Sequence, residues 1–359
     1  MHVREFDFDL PAELIAQAPP PNRADARLLM MSRATGGITH STVSLLPELL
    51  RPGDLLVLNN TRVFPARLLG RREPSGGAVE CLLIGRAESA SVGGDTNRPD
   101  AQAWEALMHP GQKLKPGSHV VFEGAATLHG EVLERHFFGR RVIRLWTNDG
   151  RAVHDAIEAI GHVPLPPYIR RGDEMSDRDR YQTVYARESG SIAAPTAGLH
   201  FDRSILDRLR ANGIETAEIT LHVGYGTFQP VRVDELEDHR LDAERYSISA
   251  DAALSINRAL TDRRRIIAVG TTTTRTLEAV ARLHGGKIMA GEGTTDLFIF
   301  PGFEFQLIQG LLTNFHLPRS SLLMLVAAFA GREKVLNAYR EAIDNRYRFY
   351  SYGDAMLIV

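Results

Sequence analysis

Two textures divide the chain. Between about Arg67 and Asp149, apolar residues come in short runs that read as strands: Val79–Ile84, Ala103–Met108, His119–Phe122, Ala126–Leu133 and Arg141–Leu145. Turn-forming pairs separate them, at Gly76-Gly77, Pro110-Gly111, Pro116-Gly117 and Asp149-Gly150. Short strands at this spacing predict a small antiparallel barrel or sandwich. One polar piece, Ala87–Gln102, is rich in Gly, Ser and Asp and reads as a loop between two strands. Such a loop is tolerated because lengthening it costs little entropy.

The second half alternates helical and strand patterns. Asp202 can cap a helix running to about Asn212, which Gly213 ends at the left-handed position, and Ile214–Val223 follows as a strand. Ser249 opens a helix to about Arg264, and Ile266–Val269 reads as a buried strand. The loop Gly270–Thr274 leads into a helix from about Arg275 to His284, ended by Gly285-Gly286. Leu297–Phe300 reads as a short strand, Pro318 fits the first turn of a helix to Ala330, and Glu333–Arg346 makes one more. Alternating strands and helices predict an α/β fold, a layered main domain with a largely parallel sheet. The expected division is a discontinuous α/β domain, residues 1–66 and 151–359, with a β-barrel domain inserted over residues 67–150.

Composition narrows the function classes. Of 359 residues, 43% are hydrophobic and 24% charged, enough apolar material for packed cores. The formal net charge of −2 leaves any RNA-binding surface to local clusters of arginine. Cys81 is the only cysteine, so neither an internal disulfide nor a cysteine-based zinc site is possible, and its apolar setting reads as a buried strand position. Met1–Leu10 carries acidic residues where a signal peptide would be basic, and the longest apolar run, Leu322–Ala330, is too short to cross a bilayer. The expected location is the cytoplasm, and the expected state a monomer.

Several polar stretches leave strands or enter helices, where α/β folds place ligands. In Asn59–Arg67 the Asn and Thr side chains can read a ribose or base edge, and Arg62 and Arg67 can hold phosphates; a polar turn is the alternative. In Gly161–Arg171, Tyr168 can stack on a base beside Arg170 and Arg171, and three prolines equally suit a rigid linker. Ala193–Phe201 leads small residues into a helix start, suited to a carboxylate or to a structural cap. The Gly-x-Gly of Leu221–Phe228 lacks a third glycine and opens no helix, so it is no dinucleotide fingerprint. Gly270–Arg275 lacks the lysine of a phosphate-binding loop, which leaves its threonine hydroxyls to sugar binding. The 13 histidines form no metal-binding pair at helical spacing, and His239-x-x-Asp242-x-Glu244 reads as an acidic turn, so no metal is expected.

Taken in order, NNTRVFPARLLGRR, GHVPLPPYIRR, YQTVYA, IAAPTAGLHF, LHVGYGTFQPV, AERYSI, VGTTTTRTLEA, TDLFIFPGF, LLTNFHLPRSSLLMLVAAFAG and YRFYSYGDAMLI resemble one family, the S-adenosylmethionine:tRNA ribosyltransferase-isomerases of queuosine biosynthesis. The ten stretches span essentially the whole chain. The resemblance implies an α/β domain with an inserted β-barrel. It implies tRNA carrying 7-aminomethyl-7-deazaguanine as partner, S-adenosylmethionine as co-substrate and no tightly bound cofactor. The family's reaction moves and isomerises the ribosyl group onto the aminomethyl nitrogen, giving epoxyqueuosine, adenine and methionine.

That chemistry needs a base near the sulfonium, for which His200, His222 and His316 are candidates, with Asp296 in the TDLF stretch. Tyr225 or Phe228 can face the sulfonium by cation–π attraction. Arg62, Arg170, Arg171, Arg275 and Arg319 are candidates for phosphates and the carboxylate. Substrate-contact candidates from the same motifs are Asn60, Thr61, Arg67, Tyr168, Thr196 and Gly198, then Gly224, Gly226, Thr227, Thr272, Thr273 and Asn314. The chain departs from the family pattern at Asp242, where a second histidine is often found. Three other classes compete on residues alone. A nucleoside hydrolase would not need paired arginines, an RNA-binding module would be basic, and a metal hydrolase would need ligand spacing that is missing.

Overall fold

The computed structural model describes residues 1–87, 100–228 (the Phe228 side chain excepted) and 231–359. Two compact units are present: residues 1–62, 166–171 and 179–359 in one, and residues 63–165 and 172–178 in the other. Their strands, in chain order, are β1 (Arg27–Met31), β2 (Ile38–Thr42), β3 (Leu55–Asn59), β4 (Thr61–Val63), β5 (Arg67–Glu73), β6 (Ala78–Arg86), β7 (Gln102–His109), β8 (His119–Glu123) and β9 (Thr127–Arg135). They continue as β10 (Arg140–Trp146), β11 (Glu188–Ser191), β12 (Glu215–Leu221), β13 (Glu244–Ile248), β14 (Ile266–Val269), β15 (Gly291–Thr295), β16 (Gly310–Asn314) and β17 (Ala355–Ile358).

The larger unit is built on a nine-stranded sheet in the order β15-β13-β12-β3-β14-β16-β17-β1-β2. Successive residues of its central strands point to opposite faces, and both faces are apolar. Leu55, Val57, Ile266, Ala268, Leu311 and Met356 enter one core; Leu56, Leu58, Ile267, Val269, Leu312 and Leu357 enter the other. Helices Ala250–Thr261, Thr271–Leu283, Ser321–Ala330 and Arg332–Asp344 cover the first face, and Arg203–Ala211 covers the second. The result is the predicted layered α/β arrangement, explained by strands that are apolar throughout because neither face meets water.

The sheet is mixed, which corrects the expectation of a largely parallel one. The central run β12-β3-β14-β16 is parallel, whereas β12–β13, β13–β15, β16–β17 and β1–β2 are antiparallel. Three local expectations also change. The strand near residue 295 is Gly291–Thr295, not Leu297–Phe300; the Leu297 carbonyl accepts from Arg275 Nε at 2.9 Å, so a side chain takes the place of a strand partner. The helix expected from Arg275 begins at Thr271, because Gly270 turns the chain at φ 95° and threonine hydroxyls bond back into the helix. Pro318 lies before its helix, which Ser320 caps by accepting from Leu323 N at 3.2 Å. By contrast, Asp202 and Ser249 cap their helices and Gly213 takes φ 73°, as predicted.

The smaller unit contains a closed antiparallel barrel, β10-β7-β6-β5-β8-β9, which answers the sequence pattern. Cys81 is fully buried on β6, and burial raises its thiol pKa. Gly130 lets the barrel interior close: a Cβ there would meet Ile143 and Val120 at 2.8 and 2.9 Å. Of the predicted loop Ala87–Gln102, residues 88–99 lie outside the described residues, and Gln102 begins β7. Among the described residues no helix is long and apolar enough to cross a membrane.

One buried carboxylate ties the layers of the larger unit together. Glu278, on the helix Thr271–Leu283, accepts from the amides of Gln306, Leu307 and Ile308 at 2.8, 3.1 and 3.1 Å, just before β16. Glu278→Ala would leave three inward-facing amides without that partner and is expected to cost about 3 kcal/mol or more. Urea unfolding of the two proteins measures this directly, and a loss below about 1 kcal/mol would show that the anchor is dispensable.

Candidate active site

A cavity of about 740 Å³ opens at the carboxyl ends of the parallel strands. Val223 after β12, Gly270, Thr271 and Thr272 after β14, and Thr313 and Asn314 at the end of β16 all line it. This is where chain connections diverge and leave room for a ligand. Among the described residues no side chain caps the helix that starts at Thr271, so its first turn presents backbone N–H groups and a partial positive charge.

Two asparagines hold this edge together. Asn59, the last residue of β3, donates from Nδ2 to Leu221 O at 3.0 Å and accepts at Oδ1 from Leu221 N at 3.0 Å and Thr61 N at 3.2 Å. Asn314, the last residue of β16, donates from Nδ2 to Tyr350 O at 2.8 Å, which fixes its amide so that Oδ1 faces His200 Nε2 at 3.2 Å. His200 therefore carries its proton on Nε2 and is neutral. Burial drives its pKa down to about 4.

The histidine on the cavity wall is His316. Thr313 Oγ1 lies 2.8 Å from His316 Nε2 and 3.3 Å from Asn314 O. The His316 amide donates to the Tyr339 hydroxyl at 3.0 Å. Burial lowers the His316 pKa to about 3, leaving the ring uncharged at neutral pH. Around it the wall is aromatic. The Tyr168 and Tyr350 rings pack with centroids 4.1 Å apart and planes tilted by 38°, and the Tyr168 hydroxyl meets Ser351 Oγ at 2.5 Å. The buried Tyr350 hydroxyl finds no hydrogen-bond partner among the described residues. Tyr350 and Arg319, both on the wall, take left-handed φ values of 74° and 57°, an uncommon conformation for bulky residues that the surrounding fold must hold in place.

The residues nominated from sequence separate into groups. Tyr168, Thr196, Thr227, Thr272, Asn314, His316 and Arg319 line this cavity, and Arg319 there pairs with Asp7. Asn60 and His222 line a second, polar cavity of about 730 Å³, with Thr61 Oγ1 buried behind at 2.9 Å from His222 Nδ1. Burial lowers the His222 pKa, and Arg245 adds to the effect. Gly198 is packed on Tyr185, and Thr273 Oγ1 donates to Val269 O at 2.8 Å, at the end of β14. Arg275 is buried against Glu244 at 2.7 Å, and Glu244 also accepts from Gly224 N at 2.8 Å. Arg67 pairs with Glu80 at 2.8 Å in the smaller unit. Tyr225 and Gly226 lie in the short turn Tyr225–Phe228, of which the Phe228 side chain lies outside the described residues.

Arg62, Arg170 and Asp296 are exposed, and Arg171 donates from Nε to Gln17 O at 3.1 Å. The sequence reading missed Asp7, Tyr181, Tyr350 and Ser351 on the wall. The available signal was the motif YRFYSYGD, where tyrosines crowd a serine between a helix and a strand. Among the described residues no cluster of three or more His, Cys, Asp or Glu side chains is placed to hold a metal ion.

Residues 3–358 match the family described as queuosine biosynthesis protein. The chain belongs to that family. Proteins named S-adenosylmethionine:tRNA ribosyltransferase-isomerase from Desulfitobacterium hafniense and Symbiobacterium thermophilum are 49% and 50% identical to it, each over the full length of both chains. The crystal structure of S-adenosylmethionine tRNA ribosyltransferase from Thermotoga maritima is 38% identical, covering 99% of this chain and 100% of that one, with a TM-score of 0.54. Family membership and the site geometry thus rest on separate observations that cover the same residues.

The depressed histidines have a consequence for stability. His200 and His316 bind protons more readily in the unfolded chain, near pKa 6.5, than in the folded one. Their contribution is therefore complete above about pH 6.5 and is lost as pH falls toward 4 and 3. Each accounts for about 1.4 kcal/mol per pH unit within its window. His200→Gln, which keeps a donor for Asn314, is expected to reduce proton uptake on unfolding at about pH 5.5 by roughly one proton. Urea midpoints measured between about pH 7 and 5 test this, and a variant that keeps the parent's pH slope would refute the assignment.

Proposed function

We propose that the chain transfers and isomerises the ribosyl group of S-adenosylmethionine onto the aminomethyl nitrogen of 7-aminomethyl-7-deazaguanine at the tRNA wobble position, releasing adenine and methionine and leaving epoxyqueuosine. The observation that carries this reading is the make-up of the apolar cavity. It joins an uncapped helix start, an aromatic wall and one neutral imidazole in a single space of about 740 Å³. Ligand sites of drug-sized molecules span about 300–1,000 Å³.

Each feature answers a need of the co-substrate. The first amides of the helix Thr271–Leu283 suit its carboxylate. The Tyr168–Tyr350 pair suits its sulfonium, an attraction worth about 0.5–2 kcal/mol. The chemistry begins by removing a proton beside the sulfonium. Among His200, His222, His316 and Asp296, only His316 lines this cavity, and its neutral imidazole is the proposed acceptor. For the tRNA phosphates the exposed Arg62 and Arg170 are the better candidates, because Arg67, Arg275 and Arg319 already face carboxylates.

Purified protein given S-adenosylmethionine and tRNA bearing the aminomethyl base is expected to release adenine, with a matching mass gain on the tRNA. Adenine formed equally well without that tRNA would point to a nucleoside hydrolase instead. His316→Ala is expected to lower kcat about 10²–10⁴-fold while leaving the KM for S-adenosylmethionine nearly unchanged. A folded variant losing less than about fivefold would remove His316 from the role of base.

A further inference from the structure

The cavity wall is poor in charged groups. Among the described residues that line it, Asp7 supplies the only carboxylate and Arg319 the only guanidinium, and no lysine is present. The two are paired with each other, Arg319 Nη2 donating to Asp7 Oδ2. That bond engages one oxygen of the carboxylate and one nitrogen of the guanidinium, and leaves Oδ1, Nε and Nη1 for a ligand.

Stability does not account for the pair. The Asp7 and Arg319 side chains are 41% and 55% exposed, and exposed ion pairs contribute little to folding. The fold nevertheless fixes both. Asp7 follows the short turn Val3–Phe6, whose Phe6 is fully buried, and its amide donates to Arg4 O at 3.2 Å. Arg319 takes φ 57°, its amide donates to Phe6 O at 3.0 Å, and the next residue, Ser320, caps the helix that follows. Backbone strain at Arg319, tied to the Phe6 carbonyl, thus keeps a carboxylate and a guanidinium side by side on the cavity wall.

A base carried on an RNA reaches such a cavity only from solvent, where this half-exposed pair stands. On 7-aminomethyl-7-deazaguanine the aminomethyl group and the 6-carbonyl oxygen project from one edge. The first is an alkylammonium, a cation with three donors at neutral pH, and the second is an acceptor. A carboxylate beside a guanidinium is the complement of that edge. Ordinary guanine presents two acceptors there, N7 and O6, which suit a guanidinium and repel a carboxylate.

We infer that the Asp7–Arg319 pair reads this edge of the modified base, Asp7 taking the aminomethyl ammonium and Arg319 the neighbouring carbonyl oxygen. The inference rests on the tRNA reading proposed above and names the residues that tell its base from guanine. A carboxylate next to the ammonium favours the protonated form, so Asp7 serves recognition and does not activate the nitrogen.

Competition binding of the full-length protein tests this with two tRNAs at one fixed salt concentration, one bearing the aminomethyl base and one bearing guanine at the same position. The parent is expected to prefer the aminomethyl tRNA. Asp7→Asn should weaken binding of that tRNA about 10–100-fold, the scale of a lost hydrogen bond to a charged group. It should leave guanine tRNA bound at least as tightly as by the parent, because an amide can donate to N7, and so erase the preference. Arg319→Gln should weaken both tRNAs by a similar factor, roughly tenfold, and keep the preference, since both bases carry the carbonyl. Both variants should unfold near the parent's temperature, as expected for an exposed pair. An Asp7→Asn protein that retains the parent's preference, or a parent that shows none, overturns the assignment of Asp7. A loss confined to the KM for S-adenosylmethionine would place Asp7 on the co-substrate and overturn it equally. An Arg319→Gln protein that binds both tRNAs as the parent does overturns the carbonyl contact. A parent that releases no adenine with the aminomethyl tRNA overturns the functional reading and this inference with it.

Discussion

The candidate site depends on how a parallel sheet ends. Where neighbouring strands run out and their connections turn to opposite sides, backbone amides and carbonyls lose their ladder partners but stay buried. Here two asparagine side chains supply the missing partners. Asn59 exchanges hydrogen bonds with both backbone groups of Leu221 and so extends the β3–β12 pairing by one side chain. Asn314 does the same work on the other side of β14, between His200 and the chain at Tyr350. Between the two amides the edge stays open, and the cavity occupies that opening.

The same burial sets the electrostatics. His200 and His316 sit where a positive charge would be costly, so both stay neutral, and the hydrogen bond that His200 Nε2 donates to Asn314 Oδ1 chooses which nitrogen of that ring holds the proton. Acidic and basic side chains that might have crowded the site are engaged by one another nearby, as with Glu244 and Arg275. The field at the mouth is then left to the uncapped start of the helix Thr271–Leu283 and to the Asp7–Arg319 pair. In the smaller unit a buried cation plays the corresponding structural part. Arg141 satisfies backbone carbonyls of two loops and fixes the turn that exposes Phe137 and Phe138.

Much of this was legible from the chain alone. Alternation and turn residues gave the barrel strands, caps at Asp202 and Ser249 gave helix starts, and uniformly apolar runs such as Ile266–Val269 gave buried strands. These signals are local, and local backbone preference decides them. Ten ordered motifs also located the polar loops around the cavity, including His316 and Asn314. What misled was any stretch whose backbone partners are distant. Leu297–Phe300 has a strand's composition, yet Arg275 from another element takes its carbonyl.

Only the tertiary structure could sort the nominated residues by role. His222 and His316 look alike in sequence, each in a loop after a strand, but the fold puts them on different cavities. Arg275 reads as a ligand-binding cation until Glu244, 31 positions away, is seen to neutralise it. Arg141 carries no motif that marks it, and YRFYSYGD does not say which of its tyrosines faces the cavity, because what distinguishes Tyr350 and Arg141 is a buried hydroxyl and a set of carbonyls brought together by folding. Sequence determined which segments form elements and which loops are chemically rich. Which of those side chains face a ligand was decided by long-range packing, since burial, pairing and proton position are properties of the assembled neighbourhood and not of the residue.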